Sequence, residues 1–414
     1  MAGAPRTATP DAARFHTLDL LRGVAVLGIL AMNIVSFAMP TAAAENPLAY
    51  GMSGSVDLWS WLISFVLIDG KMRGLFSLLF GAGILLVVQQ AEARGESDGA
   101  IHYRRMAWLL GFGLAHFYLI WSGDILVSYA LCGMLAWFFT RLSVPMLLLW
   151  AGGLFAIQFL LLLGVALWAD QLQALAGQPG ADAETLSTWR GFERDFGQPS
   201  AAQIQQELTR YRGSYADLLA YRTGPIADQP VSGLLAYGWE TLAFMLLGMA
   251  AHKSGFLTAG WRRASYVRAA SAGLGVGITA YALFAWLQMR AGFDIVGVIA
   301  WGLTAPVLAR PVMVVGLVAL VILLGRSGML GDRVAAAGRA AFTNYLGSSI
   351  VMTALFYGFG LGLFGRFGRA ELWLFVLAGW ALMLAWSKPW LDRHRHGPLE
   401  WLWRRLARGA KPRV

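Results

Sequence analysis

The chain has 414 residues, of which 57% are hydrophobic and 14% are charged, and its formal net charge is +10. A soluble domain carries about 25% charged residues, so this composition excludes an ordinary water-soluble protein. The apolar residues fall into separate blocks of membrane-spanning length, so the sequence predicts an all-α, polytopic membrane bundle in which residues 1–414 form a single membrane domain.

The first apolar block, residues 18–39, predicts one membrane-spanning helix. Its 22 residues at about 1.5 Å each reach roughly 33 Å, enough to cross a hydrocarbon core of about 30 Å. A signal peptide is the alternative, because basic residues precede the block and residues 41–44 resemble a small-residue cleavage site. The length of the run, and the positions of Asp19 and Arg22 in its first turns, favour the helix.

Nine further apolar blocks bring the predicted number of membrane-spanning helices to ten. Lys and Arg are concentrated in alternate loops, so the positive-inside rule predicts that both termini face the cytoplasm. The nine blocks are residues 59–88, 106–121, 125–139, 144–168, 234–251, 269–287, 311–324, 340–359 and 372–386.

Two segments fit this scheme poorly. Residues 57–90 are too long for one straight span and carry Lys71 and Arg73 near their middle. They predict a re-entrant or broken helix, because irregular backbone at membrane depth is tolerated only inside protein or beside a wet cavity. Residues 295–308, which include Pro306, predict an interfacial or partly inserted segment, since an eleventh crossing would reverse the sidedness of a basic loop.

Two polar segments lie outside the blocks. Residues 170–232 predict an insertion on the outer, periplasmic face that forms a cap or lid, with helices around 182–196 and 200–222. Residues 389–414 are basic and rich in Trp and Arg, which is typical of a cytoplasmic interfacial helix anchored on anionic membrane lipids.

Several function classes find no support in the sequence. It contains no Walker A motif, no His-Glu-x-x-His and no Gly-x-Ser-x-Gly, so nothing indicates ATP, zinc or a serine hydrolase. Cys132 is the only cysteine, which excludes an intrachain disulfide and favours a small buried apolar residue. We expect no metal, no tightly bound cofactor and no nucleic acid partner. The positive net charge is explained by Lys and Arg beside the helix ends, as the positive-inside rule requires.

His116, inside the third block, is the first candidate catalytic residue. An ionisable group inside a membrane costs roughly 2.5–3.5 kcal/mol, so it marks either a site or a hydrogen bond to a neighbouring helix. Asp124 follows a tight turn and is a second candidate catalytic residue, whose alternative role is to cap the next helix. Regular antiparallel pairing puts His116 level with Tyr129 and leaves Asp124 about two turns above, so no direct bond between His116 and Asp124 is expected. Trp121, in the turn, and Tyr129 are candidate substrate-binding residues.

Polar residues on the first helix form a second group. Asp19 and Arg22 are three residues apart and share a face, where they are expected to pair or to bind substrate. Asn33 lies eleven residues after Arg22, on a similar face toward the outer half, where a buried amide needs a partner or a substrate.

Three polar residues on later helices complete the candidate set. Lys71 and Arg73 either extend to an interface or present cations to a phosphate or an oxyanion. Asn344 is a candidate substrate-binding residue whose simpler interpretation is a contact between helices. Glycines within residues 74–83 predict close helix packing.

Five segments, in order along the chain, resemble the YeiB-like bacterial membrane proteins, a group with a domain of unknown function. The resemblance covers nearly the whole length, and His16 lies outside its pattern. The segments are residues 18–30 with Asn33, residues 75–83 with Lys71, His116 with residues 123–126 and Tyr129, residues 338–346, and residues 397–404.

This group is more remotely similar to the transmembrane acyltransferases that include the lysosomal heparan glucosaminide acetyltransferase. Their first helix also begins with Asp-x-x-Arg-Gly, here residues 19–23. The resemblance implies that a cytoplasmic acyl-CoA, such as acetyl-CoA, gives its acyl group to an acceptor reached from the other face.

Within that hypothesis the candidate residues take distinct roles. His116 removes a proton from the acceptor, and Asn33 or a backbone donor stabilises the oxyanion. The anionic donor is held by one or more basic side chains, namely Lys71, Arg73 or Arg22.

Two other function classes stay open. A transporter or lipid-handling protein would use the same residues as a binding site at the membrane midplane. An assembly component without turnover is the third class. The sequence leaves the acceptor, the acyl chain and the oligomeric state open, including a homodimer.

Overall fold

The computed structural model describes residues 10–325 and 328–408, and every regular element in these two ranges is a helix. Short 3₁₀ or π segments extend or join several of the helices. The α-helices are, in chain order, α1 (Pro10–Ala38), α2 (Ser55–Leu67), α3 (Lys71–Glu92), α4 (Asp98–Ala115), α5 (Leu126–Ala136), α6 (Val144–Ala176), α7 (Ala183–Phe196), α8 (Ala201–Tyr211), α9 (Tyr215–Thr223), α10 (Gln229–Lys253), α11 (Arg263–Arg290), α12 (Ile295–Gly297), α13 (Pro306–Leu324), α14 (Met329–Arg339), α15 (Ala341–Phe356), α16 (Leu372–Arg393) and α17 (Pro398–Arg408).

Within the described ranges, seven helical stretches are long and apolar enough to cross a membrane, as expected of a multi-pass, all-α membrane protein. Two shorter apolar helices, Leu126–Phe139 and Ala341–Phe356, account for two more predicted blocks. The block at 106–121 lies in α4 and the π segment after it. The predicted total of ten stays a prediction. The seven stretches are His16–Ala38, Ser55–Glu92, Val144–Ala176, Gln229–Lys253, Arg263–Arg290, Ile295–Leu324 and Leu372–Arg393.

The long second block is a broken helix, as the sequence predicts. α2 ends at Leu67 and α3 begins at Lys71, and between them Gly70 has a φ of +72°. A side chain there would be strained, and its Cβ would lie 2.5 Å from Nε of Arg310. The break therefore requires glycine, and it places the polar residues around it inside the bundle.

Residues 295–308 correct the sequence-based prediction. They are not a separate interfacial segment, because Ile295–Leu324 runs as one 30-residue helical stretch. Pro306 does not end the stretch, since it is the first residue of α13, separated by one residue from the π segment Val298–Thr304, and proline is tolerated in the first turn of a helix.

Glycines bring several helices into backbone contact. A Cβ on Gly338 of α14 would lie 1.9 Å from the carbonyl oxygen of Asp19 on α1. A Cβ on Gly81 of α3 would lie 2.0 Å from the carbonyl oxygen of Met245 on α10. This is the close packing predicted for the glycines of α3, and it holds α1 and α3 at the centre of the bundle.

The insertion between α6 and α10 folds into α7, α8 and α9, which we call the cap. The cap packs on the loops that follow α1 and α15. Asn46 Nδ2 donates to the Phe196 carbonyl at 3.0 Å, and Arg212 Nε donates to the Phe364 carbonyl at 2.7 Å. We refer to this side of the bundle as the cap end. The opposite side, with the α3–α4 loop and α17, is the basic end.

Candidate functional site

His116 and Asp124 form a hydrogen-bonded pair, which the sequence-based pairing did not predict. His116 Nδ1 lies 2.7 Å from Asp124 Oδ1, and the two side chains are 0% and 1% exposed. Asp124 Oδ2 also accepts the amide of Val127 at 2.8 Å, so the predicted capping role is present as well. The expectation of no direct bond was wrong.

The reason lies in how α4 ends and α5 begins. Residues His116–Ile120 form a π segment, closed by the Trp121 amide donating to the His116 carbonyl at 2.8 Å. One turn earlier, a Cβ on Gly113 would lie 2.6 Å from the Val127 amide nitrogen. The first turn of α5 therefore sits against α4 close to His116, which lowers Asp124 to the level of the imidazole.

The pair leaves one imidazole nitrogen free. A carboxylate can only accept, so Nδ1 carries the proton and Nε2 holds a lone pair in the neutral ring. Among the described residues, Nε2 of His116 is buried without a hydrogen-bond partner. The ring centroids of Tyr345 and Trp121 lie 5.3 and 6.2 Å from the centroid of the imidazole. The arrangement is that of a general base held by a carboxylate.

A cavity of about 890 Å³ opens at the basic end. Its wall includes the predicted pair Asp19 and Arg22, whose side chains are 3.1 Å apart. Phe80, Leu126 and Tyr129 form part of its apolar wall deeper in the bundle. Five more arginines contribute to the wall: Arg94, Arg105, Arg339, Arg395 and Arg404.

Helix α17 forms one wall of this basic-end cavity. Glu400 accepts hydrogen bonds from the Phe342 amide at 2.7 Å and the Thr343 hydroxyl at 2.6 Å, at the start of α15. Burial raises the pKa of the Glu400 carboxyl, and these hydrogen bonds oppose the rise. Trp403 Nε1 donates to the Arg105 carbonyl at 3.0 Å. The tail predicted as a lipid anchor is thus also part of the cavity wall; its last residues, 409–414, lie outside the described ranges.

The His116–Asp124 pair lies behind the inner wall of the basic-end cavity. Leu126 lines the cavity two residues after Asp124, and Phe342 lines it one turn before Tyr345. Tyr345 in turn packs against the imidazole and accepts the Ile125 amide at 3.3 Å. The two helices α5 and α15 therefore line the inner end of the cavity and also border the pair.

A second cavity, of about 260 Å³, lies toward the cap end beside the break between α2 and α3. Asn33 and Arg73, both predicted from the sequence, line it. Glu45 and Asp69, which the sequence analysis did not select, line it too. Asn33 and Arg22 therefore face different cavities, although they lie on one helix.

An ion-pair network borders this cap-end cavity. Glu240 of α10 pairs with Arg310 Nη1 of α13, and its other oxygen accepts from Arg73 Nη2 at 2.8 Å. Arg310 Nε also donates to the Tyr281 hydroxyl at 3.2 Å. With Tyr281 of α11, the network joins four helices at membrane depth, where each charge needs a partner.

Tyr129 and Arg73 stand between the two cavities. The Tyr129 ring lines the basic-end cavity, and its hydroxyl donates to the Arg73 carbonyl at 3.2 Å. The Arg73 side chain lines the cap-end cavity, whereas Phe76, three residues later, lines the other one. One turn of α3 separates the two spaces.

Lys71 does not reach an interface. Its side chain is fully buried; Nζ donates to the Phe65 carbonyl and lies 3.2 Å from the centroid of the Tyr281 ring. The alternative in which Lys71 extends to a membrane surface was wrong, because the helix break turns it into the bundle. It lines neither cavity described above.

Two predicted substrate-binding residues serve packing. The Asn344 amide donates to the Ala337 carbonyl and to Ser387 Oγ, and it accepts from Trp386 Nε1 at 2.8 Å. It therefore joins α15 to α16. Trp121 is buried and stacks on Phe37 at 3.9 Å, which closes the side of the His116 ring.

Within the described ranges, no three His, Cys, Asp or Glu side chains are grouped in a way that would hold a metal ion. Cys132 is buried, as its apolar surroundings predict.

Comparison with known proteins places the chain in a family. A family model described as "Protein of unknown function (DUF418)" matches residues 251–410. "Uncharacterized protein YeiB" of Escherichia coli (strain K12) is 31% identical over 420 residues, covering 96% of this chain and 97% of that protein. "Uncharacterized protein YxaH" of Bacillus subtilis (strain 168) is 31% identical over 406 residues, covering 94% and 93%. No solved structure matches the chain. The chain therefore belongs to the YeiB-like family of bacterial proteins.

Proposed function

We propose that this protein transfers an acyl group, within the bilayer, from a cytoplasmic CoA thioester to an acceptor that arrives from the opposite side. One observation carries the proposal: a buried Asp124–His116 pair with a free Nε2 lies directly behind the inner wall of a deep, arginine-lined cavity. A base and an anion-binding cavity side by side are what acyl transfer from an anionic thioester requires.

The basic-end cavity suits the donor. Its volume of about 890 Å³ lies in the upper part of the ~300–1,000 Å³ range of pockets that bind small molecules and cofactors. Guanidinium groups bind phosphate oxygens through paired hydrogen bonds, and arginines line this cavity. The apolar inner wall at Leu126 and Phe80 is available for the acyl chain. We assign the phosphates to the arginines and the thioester to the inner end.

The chemistry follows from the free nitrogen. The acceptor's hydroxyl oxygen or amine nitrogen attacks the thioester carbonyl, and His116 Nε2 takes the proton from that atom. The C–S bond then breaks, and the imidazolium returns the proton to the leaving CoA sulfur. Asp124 holds the ring in the required tautomer and stabilises its charged form between these steps.

The orientation is assigned from charge. By the positive-inside rule we assign the basic end, with both termini, to the cytoplasm and the cap to the periplasm of a bacterial inner membrane. The ten predicted crossings agree with that assignment if α4, α5 and α15 count as spans. Acyl-CoA is then on the side of the arginine-lined cavity.

The experiment is an acyl-transfer assay on purified protein in proteoliposomes with labelled acetyl-CoA. Wild-type protein is expected to transfer or hydrolyse the acyl group, and His116→Ala to lose at least about 10²-fold, the usual contribution of a general base. Asp195→Asn removes an exposed carboxylate of the cap and serves as the matched control. Equal turnover in His116→Ala and wild type would remove His116 from the mechanism.

A transporter is the second candidate, favoured by the break between α2 and α3 beside a charged cavity. It predicts solute movement across proteoliposomes without CoA ester, and no stabilisation of the protein by CoA esters. The acyl-transfer proposal predicts the opposite of both.

A further inference from the structure

The cap-end cavity contains polar groups that packing does not explain. Gln288 of α11 is 1% exposed and lines the cavity, and among the described residues its Nε2 has no hydrogen-bond partner. Burying an amide N–H without a hydrogen-bond partner is unfavourable, so a donor left unpaired in this position indicates that a ligand accepts its hydrogen bond.

Two carboxylates in the same wall are also unpaired. In the described ranges, Glu45 and Asp69 line the cavity and their side chains make no hydrogen bond and no ion pair, whereas Glu240 beside them is paired twice. Unlike a surface carboxylate, each faces an enclosed space at or near membrane depth. Their oxygens are available to accept hydrogen bonds from a ligand.

The charges in the wall balance. Three carboxylates, of Glu45, Asp69 and Glu240, face three guanidinium groups, of Arg73, Arg310 and Arg369. An anion would be repelled by the three carboxylates, and a cation would be repelled by the three guanidinium groups. Either ligand would leave a net charge in a wall that is otherwise neutral. An uncharged ligand with several groups that both donate and accept satisfies the carboxylates and the Gln288 amide together.

Size and shape narrow the ligand further. The volume of about 260 Å³ is below the ~300–1,000 Å³ of pockets for drug-sized ligands, so only a small headgroup fits. Trp61, Trp373 and Tyr237 contribute aromatic surface to the wall, which covers the C–H faces of a ligand while the carboxylates meet its hydroxyls.

We propose that the cap-end cavity binds a small, uncharged polyhydroxy molecule, either a free solute or the hydroxyl-bearing headgroup of a lipid. That this molecule is the acyl acceptor rests on the proposed function, whereas its binding in the cap-end cavity does not. The position fits that role, because one turn of α3 separates this cavity from the donor cavity at Arg73 and Phe76. On α1, Asn33 lines it one turn before Phe37, which packs on the Trp121 that covers His116.

The test measures binding without any acyl donor. Thermal unfolding of the full chain is followed with free glycerol and free glucose, kept below the range of general solute stabilisation. Parallel samples are held in nanodiscs of phosphatidylglycerol or of phosphatidylcholine. We expect a saturable rise in Tm with a free polyol, or with phosphatidylglycerol over phosphatidylcholine, and which of these occurs assigns the source.

Variants locate the site. Asp69→Asn and Gln288→Leu are expected to weaken apparent binding about tenfold, as the loss of one hydrogen bond to a charged or buried group does. Asp195 is an exposed residue of the cap, and Asp195→Asn should bind the polyol or the lipid as wild type does. Asp69→Asn keeps the size of the side chain and breaks no hydrogen bond, but it removes a carboxylate that interacts with the buried Lys71. The Tm of each variant without ligand, measured in the same experiment, therefore reports its folding.

Two results would overturn the proposal: no saturable shift with any of these probes in wild type, or a shift that survives unchanged in both cavity variants. The two proposals fail separately. Binding that persists in wild type and in His116→Ala, with no acyl transfer, supports this site and removes the transferase. Acyl transfer without variant-sensitive binding removes this site alone.

Discussion

One carboxylate serves two partners at the turn between α4 and α5: Asp124 Oδ1 accepts from His116 Nδ1 at 2.7 Å, while Oδ2 accepts the Val127 amide at 2.8 Å. Asn caps a helix about as well as Asp, but it is a poor substitute as the carboxylate partner of an imidazole. Asp124→Asn is therefore expected to keep its Tm and to lose about 10²–10⁴-fold in acyl-transfer rate. Turnover and thermal unfolding of the same preparation measure both.

A cap elsewhere provides the control for that variant. Asp182 is the N-terminal capping residue of α7, where its carboxylate accepts the Thr185 amide at 2.7 Å. Helix α7 belongs to the insertion that we call the cap. Asp182→Asn should change neither rate nor Tm. If Asp124→Asn turns over like wild type, Asp124 acts only as a helix cap.

Arginines at the basic end are expected to act on donor affinity. Arg339→Gln and Arg395→Gln should each raise the KM for acetyl-CoA about tenfold with little change in kcat, since a hydrogen bond to a charged group contributes ~1.5–3 kcal/mol. Salt should raise the wild-type KM in the same direction. Arg268→Gln, exposed at the same end but outside the cavity wall, is the matched control. Unchanged KM in both cavity variants would place the donor elsewhere.

The contact between α1 and α14 predicts an effect on stability. Gly338→Ala would set a Cβ 1.9 Å from the Asp19 carbonyl oxygen, so the helices must separate, at a cost of about 1–3 kcal/mol or more. The measurement is denaturant unfolding in detergent. Gly152→Ala, where a Cβ would meet nothing within 4 Å, should be neutral or stabilising by up to ~1 kcal/mol. Equal stability of the two variants would contradict this packing.

The network around Glu240 predicts non-additive stability. Glu240→Gln leaves the buried Arg310 without its carboxylate, and removing one member of a buried pair costs about 3–5 kcal/mol. Replacing both, as Glu240→Gln with Arg310→Met, should recover part of that loss in the same unfolding measurement. A double variant as unstable as the sum of the single ones would show that the two side chains are not coupled.

The sequence was sufficient for the bundle because the bilayer forces it. Apolar segments in a bilayer must satisfy their backbone groups internally, so each predicted block is mainly helical, and Lys71 inside an apolar run correctly indicated the break before α3. Asp69, in the same run, and Glu240, in the block at 234–251, met the same criterion and were overlooked. Arg310 was missed because the block was taken to start one residue later, at Pro311.

The pair at His116 was beyond sequence-based prediction. Two regular helices with 3.6 residues per turn would leave Asp124 above His116. The π segment His116–Ile120 and the close approach of Val127 to Gly113 instead shift α5 along α4. Neither the π segment nor that approach has a sequence signal as specific as an apolar block. Equally, only the folded chain shows that Arg22 and Asn33 face different cavities.

The most direct test of the account is whether purified protein in proteoliposomes releases CoA thiol from acetyl-CoA. A thiol reagent can follow this release, because Cys132 is the only cysteine and is buried. The account predicts steady release that falls at least about 10²-fold in His116→Ala and Asp124→Asn. No release above the empty-liposome rate, together with no rise in Tm with any CoA ester, would contradict it.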